Sequence, residues 1–222
     1  MPSTTLAGTQ AAAGLPALAP ARPEPRRAPA APSERERHAR LDAHLMAEVR
    51  EGRVTAFEQI VDRHKQPLVS YLARLTHCRE RAEEYAQEAF LRLYQSADRY
   101  HERGLLSAYL FRIATNLVRS DERRRKRWRL LSPFLDHDDR AREPSPQRTV
   151  LDDEATGLVA AAIRDLPLAF RAPLVLREIE GWTYEEIAEA LGCRIGTVKS
   201  RIHRAKAQLR SKLEGYWRGE PR

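Results

Sequence analysis

The sequence predicts an all-α protein that consists of two small helical domains, a flexible linker between them and a disordered N-terminal tail. Apolar residues recur at helical spacing in two separate stretches, and alternating strand-like patterns are absent. A segment with several prolines and little periodicity lies between those stretches. We therefore place the tail at residues 1–37, the first domain at 38–128, the linker at 129–152 and the second domain at 153–218.

The N-terminal tail is dominated by Ala and Pro through residue 32. It has too few bulky apolar side chains to form a core, so we expect it to be disordered. Gly14, Pro16 and Pro20 interrupt any apolar run that could serve as a secretion signal. A signal peptide is therefore not predicted.

Two apolar stripes predict the first helices of the first domain. The first stripe contains Pro67, where we expect a kink or a break because proline lacks a backbone N–H. The second has an acidic opposite face that includes Leu91. Such a face is usually only solvated, but an exposed leucine among acids suggests a partner. The stripes consist of Phe57, Ile60, Val61, Leu68, Tyr71, Leu72 and Leu75, and of Ala82, Tyr85, Ala86, Ala89, Phe90, Leu93 and Ala97.

A loop around Gly104 precedes a third helix with a polar outward face. An aromatic side chain beside Asn and Arg suits stacking on an unpaired base. The helix leads into residues 119–129, which contain seven Lys or Arg residues and only two acidic residues. The helix dipole explains one or two of these cations, whereas seven indicate phosphate binding. The residues predicted to face outward are Arg112, Thr115, Asn116 and Arg119, with Tyr109 at the edge.

The second domain is predicted to contain four helices, of which the last two form a helix-turn-helix. Thr183 and Glu186 have the spacing of a capping box, which marks the start of a helix. Gly192 ends this helix because glycine tolerates the left-handed conformation of a C-terminal turn. In the preceding helix, Pro173 must lie in the first turn or kink the helix.

The last helix has an apolar face opposite a face of small residues, a hydroxyl and cations. A basic face alone favours a solvated amphipathic helix. Small residues on that face, within a helix-turn-helix, instead favour insertion into the DNA major groove. The inward residues are Val198, Ile202, Ala205 and Leu209, and the outward ones are Gly196, Ser200, His203, Arg204 and Ala207, flanked by Thr197, Lys199 and Arg201.

The charge balance also favours a polyanionic partner, since the net charge is +8 and the pI is near 9.9. An acidic membrane surface is the rival partner, but no apolar run is long enough to span a bilayer. Cys78 and Cys193 lack metal-ligand spacing, so we expect two reduced thiols and no metal. No pattern of catalytic residues or cofactor-binding glycines is found in the sequence, so neither an enzyme nor a cofactor is predicted.

Two sets of motifs, one in each domain, together resemble the extracytoplasmic-function (ECF) group of bacterial RNA polymerase sigma factors. Region 2 of that family is similar to AFEQIVDRHKQPLVSYLARL, RAEEYAQEAFLRLYQ and SAYLFRIATNLVRSDERRR. Region 4 is similar to LPLAFRAPLVLREIEGWTYEEIAEALGCRIGTVKSRIHRAKAQL. The resemblance covers about residues 45–128 and 155–214.

The resemblance implies a role for each matching side chain. The QEAF segment corresponds to the surface that binds the polymerase clamp, and the loop at 101–105 to one that binds a flipped base. Tyr109 stands where the family usually has Trp, and Arg194 where Pro is frequent. The implied sites are Glu84, Gln87, Glu88 and Leu91 for core polymerase; His101, Tyr109, Arg112, Asn116, Arg119 and Arg123 for −10 DNA; and Arg194, Thr197, Lys199, Ser200, Arg201, His203 and Arg204 for −35 DNA.

The resulting hypothesis is a non-catalytic subunit that binds the clamp and flap of core RNA polymerase and directs initiation at promoters. The resemblance also implies a cytoplasmic monomer within the holoenzyme, an anti-sigma factor as a further partner and no membrane insertion. One alternative is an autonomous helix-turn-helix regulator that binds palindromic DNA as a dimer. Another is an enzyme that acts on nucleic acid. Only the first hypothesis requires stable binding to core polymerase.

Overall fold

The structure is a computed structural model that describes residues 34–100, 106–131 and 154–217. These residues form eight α-helices and one short 3-10 helix, and no strand occurs among them, which confirms the all-α prediction. Most of the predicted tail and linker, and the loop that carries His101, lie outside the described residues. The helices are α1 (Glu34–Arg50), α2 (Val54–Thr76), α3 (Arg79–Gln95), α4 (Leu106–Leu131), α5 (Glu154–Arg164), α6 (Leu168–Glu178), α7 (Tyr184–Leu191) and α8 (Ile195–Trp217), with the 3-10 helix at Ala97–Arg99.

The first domain consists of α1 to α4 around a core in which α2 is central. Three alanines of α3, at positions 82, 86 and 89, are buried, and α3 packs on α2. Their small side chains let the two helices approach closely. Leu68 and Leu72 of α2 are fully buried, and each side chain of this size contributes about 1.5–3 kcal/mol. The amphipathic stripes predicted from the sequence therefore point inward.

Three features of the first domain differ from the sequence predictions. α1 begins at Glu34, inside the predicted tail, and its buried Asp42 accepts hydrogen bonds from Arg63 and His64 of α2. α2 runs without a break through Pro67, which is exposed, so solvent can hydrate the carbonyl that loses its N–H partner. Helix α4 continues to Leu131, beyond the predicted start of the linker.

The second domain consists of α5 to α8, and α7 and α8 form the predicted helix-turn-helix. Thr183 Oγ1 accepts from the N–H of Glu186 at 3.2 Å, and Glu186 Oε2 accepts from the N–H of Thr183 at 2.7 Å. Gly192 ends α7 with a φ of 60°. The capping box and the glycine stop are therefore confirmed. Pro173 is buried in the middle of α6 rather than in its first turn.

Removal of the capping box provides a first test of the second domain. Thr183→Ala is expected to lower the free energy of unfolding by about 1 kcal/mol, because the N–H of Glu186 loses its acceptor. Thr183→Ser keeps the hydroxyl and should retain most of the stability. Urea denaturation followed by circular dichroism measures both variants. Equal stabilities of Thr183→Ala and the unsubstituted protein would show that the cap contributes nothing.

The two domains pack against each other through α2 and α6 and through α4 and α7. The rings of Phe111 on α4 and Trp182, just before α7, are 4.8 Å apart. Arg74 of α2 and Glu180 form an ion pair at 3.5 Å. The buried residues of both domains consequently form one continuous apolar cluster.

Candidate nucleic-acid interface

The outward face of α8 is held in place by three buried side chains on its opposite face. Val198, Ile202 and Ala205 are 0–4% exposed, which leaves the opposite side of the helix open to solvent. Among the described residues, no carboxylate forms an ion pair with Arg204. We call the predicted −35 residues the α8 face: Arg194, Lys199, Ser200, His203 and Arg204 are exposed, and Thr197 and Arg201 are half-buried.

Lys199 of the α8 face and Arg177 of α6 share one aromatic ring. Lys199 Nζ lies 5.5 Å from the centre of the Tyr184 ring, and the Arg177 guanidinium lies 4.7 Å from it. Arg177 also donates to the carbonyl of Trp182 at 2.7 Å, which fixes its position. Tyr184 and Arg177 were not predicted, because they belong to helices that precede α8 in sequence. Their cation–π contacts hold positive charge at the side of the helix.

The predicted −10 residues of α4 form a second exposed stripe. Arg112, Asn116 and Arg123 are exposed, and Arg119 is half-buried and donates to Asn116 Oδ1 at 3.1 Å. Arg123 donates to Ser120 Oγ at 3.4 Å. We call the described members the α4 stripe, which consists of Tyr109, Arg112, Asn116, Arg119 and Arg123. His101 lies outside the described residues.

Tyr109 of α4 lies at the predicted edge of the outward face, whereas Thr115 does not lie on that face. The Tyr109 ring is half-buried, with its centre 5.2 Å from that of Tyr100 and its hydroxyl 3.4 Å from Ser96 Oγ. Thr115 is buried, so its predicted outward position is wrong. Its hydroxyl lies 2.9 Å from Tyr71 Oη and donates to the carbonyl of Phe111 at 2.7 Å. A position at the edge of the apolar stripe turns inward here because it finds a polar partner in the core.

The basic end of α4 is partly neutralised by one acid. Arg124 and Arg125 each form an ion pair with Asp121 at 2.8 Å. Burial favours the protonated form of Asp121, but the Tyr85 hydroxyl and these guanidiniums outweigh it and lower the pKa of this carboxyl. Within the part of the chain that the structure describes, Lys126 and Arg127 have no ion-pair partner. The remaining positive charge can bind phosphate.

The acidic face of α3 carries the predicted partner surface. Glu84 and Gln87 are exposed, and Glu88 Oε1 accepts from Arg92 Nε at 2.7 Å. Leu91 is 50% exposed, and Tyr94, three residues further, is 44% exposed. The Tyr94 ring packs on Phe57 at 5.0 Å, which holds it beside Leu91. The sequence analysis missed Tyr94, although its spacing from Leu91 places both on one side of the helix.

Family models match both domains of the chain. The model described as "Sigma-70 region 2" matches residues 60–129, and "Sigma-70, region 4" matches residues 156–209. The ECF sigma factor SigW of Bacillus subtilis is 32% identical over 178 residues, which are 75% of this chain and 93% of SigW. The chain belongs to the ECF group of RNA polymerase sigma factors.

Two further comparisons agree with this family. SigE of Mycolicibacterium smegmatis is 38% identical to this sigma factor over 159 residues, which are 71% of the chain and 62% of SigE. The sigma factor RpoE of Bartonella quintana, solved with the anti-sigma factor NepR, is 28% identical with a TM-score of 0.58. The match covers 71% of this chain and 96% of RpoE.

Membership of this family establishes the general function. The sigma factor directs transcription from promoters through RNA polymerase, and the hypothesis of an autonomous regulator is not favoured. The family consists of non-enzymatic initiation factors. Among the described residues, no cluster of His, Cys, Asp or Glu could hold a metal ion. None of the described helices is both long and apolar enough to cross a bilayer.

Proposed function

We propose that the α8 face recognises the −35 element, the α4 stripe recognises and helps to melt the −10 element, and α3 binds the polymerase clamp. The observation that carries this proposal is the exposure of the α8 face, with Arg204 outward and with Ser200 and Gly196 about one and two turns before it on the same helix. Small side chains allow a helix to enter the major groove deeply. The guanidinium of Arg204 can then donate to guanine O6 and N7.

The −10 role follows from the chemistry of the α4 stripe. Asn116 and Arg112 supply hydrogen-bond donors and, in the case of Asn116, an acceptor for the edges of unpaired bases. Strand separation costs unpairing and unstacking energy, and stacking on an aromatic side chain recovers roughly 1–3 kcal/mol per base. Tyr109 has the ring for such a contact, although rotation away from Tyr100 must precede full stacking. The cations at the end of α4 bind the adjacent phosphates.

The partner surface on α3 explains the exposed apolar pair. Leu91 and Tyr94 provide an apolar centre, and Glu84, Gln87 and Glu88 surround it with polar groups, as in protein interfaces with a polar rim. We assign this surface to the clamp of core RNA polymerase and the second domain to the flap. The protein then acts in the cytoplasm as a monomer within the holoenzyme, without enzymatic activity of its own. An anti-sigma factor is a further partner, as it is for RpoE of Bartonella quintana.

The proposed function is tested by run-off transcription over a library of genomic promoters. Core enzyme with the purified sigma factor should produce transcripts whose start sites share −35 and −10 elements, and core enzyme alone should not. The same preparation without core enzyme should show no transcript. An autonomous regulator would instead protect palindromic DNA in the absence of core enzyme and would start no transcripts when core enzyme is added.

A further inference from the structure

A cavity of about 480 Å³ is lined by residues of α2, α3, α4 and α6. Its volume is within the range of small-molecule sites, which is about 300–1,000 Å³. None of its lining residues belongs to the α8 face, the α4 stripe or the predicted partner surface on α3. The proposed function therefore assigns no ligand to this cavity.

The wall of the cavity carries more positive than negative charge. Four cationic side chains and two acidic ones line it, which leaves an excess of two positive charges. His77 also lines the cavity, but burial, followed by the charge of Arg171, lowers its pKa to about 4, so its ring is neutral near neutral pH. The lining cations are Arg81, Arg125, Lys126 and Arg171, and the lining acids are Asp121 and Glu122.

Both acids of the cavity are already engaged by cations. Asp121 pairs with two arginines of α4 at 2.8 Å, and Glu122 Oε1 lies 3.3 Å from Arg171 Nη2. Within the described part of the chain, Arg81 and Lys126 form no ion pair. Arg81 is half-buried and Lys126 is exposed, so both can be reached from solvent. Two cations of the cavity therefore lack a counter-ion from the protein.

The most deeply buried cation of the cavity is Arg171 of α6, which is 6% exposed. Its Nη1 donates to the carbonyl of Arg164 at 2.7 Å and lies 2.7 Å from His77 Nε2. Its Nε is buried and has no hydrogen-bond partner among the described residues. Burial lowers the pKa of Arg171, although the charge of Glu122 opposes this shift. Because charges are weakly screened in a low-dielectric interior, Arg171 adds positive potential to the cavity.

The opposite type of surface is also present, because part of the wall is apolar. Leu75 and Val118 line the cavity and are 1% and 3% exposed. Tyr85 lines it as well, and its hydroxyl donates to Asp121 Oδ2 at 2.7 Å, which leaves mainly the ring for a ligand. Small-molecule sites typically combine apolar walls with a few charged groups that orient the ligand. The cavity therefore suits a molecule with an anionic group and an organic remainder.

We propose that this cavity binds a small phosphorylated molecule, with Arg81 and Lys126 on the phosphate oxygens and the apolar wall against the rest of the ligand. A phosphomonoester carries a charge of about −1.5 to −2 at neutral pH, which matches the two unpaired cations better than a single carboxylate does. Hydrogen bonds between cations and phosphate oxygens are among the strongest in proteins. The inference goes beyond the proposed function, since it concerns a small ligand and not promoter DNA or core polymerase.

Isothermal titration calorimetry of the full chain with AMP, in a buffer without phosphate, tests the site. AMP supplies a phosphate and an organic remainder, and adenosine and inorganic phosphate supply one of these each. AMP should bind more tightly than either, because only AMP contacts both the cations and the apolar wall. AMP should also raise the melting temperature of the protein, because a ligand stabilises the state that it binds. Absence of AMP binding, or equal affinities for AMP and inorganic phosphate, would overturn the inference.

Substitutions on α3 locate the bound AMP. Arg81→Gln should weaken AMP binding about tenfold, the loss expected for one charged hydrogen bond, and Arg81→Lys should retain most of the affinity. Arg79→Gln is the matched control, since Arg79 is exposed, pairs with Glu83 at 3.0 Å and does not line the cavity. Circular dichroism identifies the folded variants. Unchanged AMP affinity in folded Arg81→Gln would refute the site.

AMP is also a fragment of a nucleic acid, so the α4 stripe must be tested as a competing location. Asn116→Ala removes a side chain of the stripe that does not line the cavity, and it should leave the AMP affinity unchanged. A loss of AMP binding in Asn116→Ala, without a loss in Arg81→Gln, would place AMP on the stripe and overturn the inference. Run-off transcription tests the promoter function separately, because calorimetry with AMP requires neither core polymerase nor DNA.

Discussion

Loss of core polymerase binding is the expected result of Leu91→Arg combined with Glu88→Lys. Leu91 is half exposed beside Tyr94, so the arginine places a charge at the apolar centre of the proposed interface. The lysine reverses a charge on its rim. Central interface residues often contribute 2 kcal/mol or more, so we expect at least a roughly 30-fold loss of affinity. Titration of labelled core enzyme with each sigma variant measures it.

A matched control applies the same two changes to another exposed surface. Leu41→Arg with Glu34→Lys alters an exposed leucine and an exposed glutamate of α1. Both double variants should keep helicity and a melting temperature close to that of the original protein, because three of the four side chains are exposed and the Glu88–Arg92 pair is a partly exposed surface pair. Only the α3 variant should lose core binding. A folded α3 variant with unchanged affinity would remove this surface from the proposed function.

The second large effect is expected in promoter specificity and separates two cations of α8. Arg204→Ala should cost about 1–3 kcal/mol at one −35 position and relax the base preference there, because bidentate donation to guanine is lost. Lys199 lies at the side of the helix against Tyr184, where a helix in the groove meets the phosphates. Lys199→Ala should weaken binding to all sequences alike and reduce the salt dependence by about one ion.

Holoenzyme binding to duplexes with every single substitution in the −35 element, at several salt concentrations, separates these outcomes. Lys206→Ala is the matched control, since Lys206 lies on the same helix but pairs with Glu178 at 2.9 Å. Lys206→Ala should change the base preference less than Arg204→Ala does, and the salt dependence less than Lys199→Ala does. If Arg204→Ala weakens every duplex equally, then Arg204 does not recognise a base.

Local signals account for the parts of the fold that were predicted correctly. The capping box at Thr183, the glycine stop at Gly192 and the inward face with Val198 and Ile202 each depend only on residues a few positions away in the sequence. Such signals act through backbone hydrogen bonds and helical periodicity, so they do not depend on the rest of the chain. The assignment of base-recognition and clamp-binding roles to individual residues stays a prediction.

Residues at the edges of helical faces could not be assigned from periodicity. Thr115 was expected outside, but the hydroxyl of Tyr71, 44 positions earlier in the chain, gives it a polar partner in the core. Tyr109 was expected at an edge and is half-buried against Tyr100, as an edge position allows. At such positions the angle on the helical wheel is compatible with either the core or the solvent. The side chains of the neighbouring helices then decide which environment the residue occupies.

The sequence by itself determined the helices after α1, the helix-turn-helix and the family, because each depends on local spacing or on motifs within one segment. Only the tertiary structure decided that the two domains pack together and that Arg171 is buried. His77 is 94 positions from Arg171, and no periodicity connects them. A lone arginine in an amphipathic helix is ordinarily expected to face solvent. Its burial here depends on a histidine and a glutamate from another domain, which only the folded chain brings within hydrogen-bond distance.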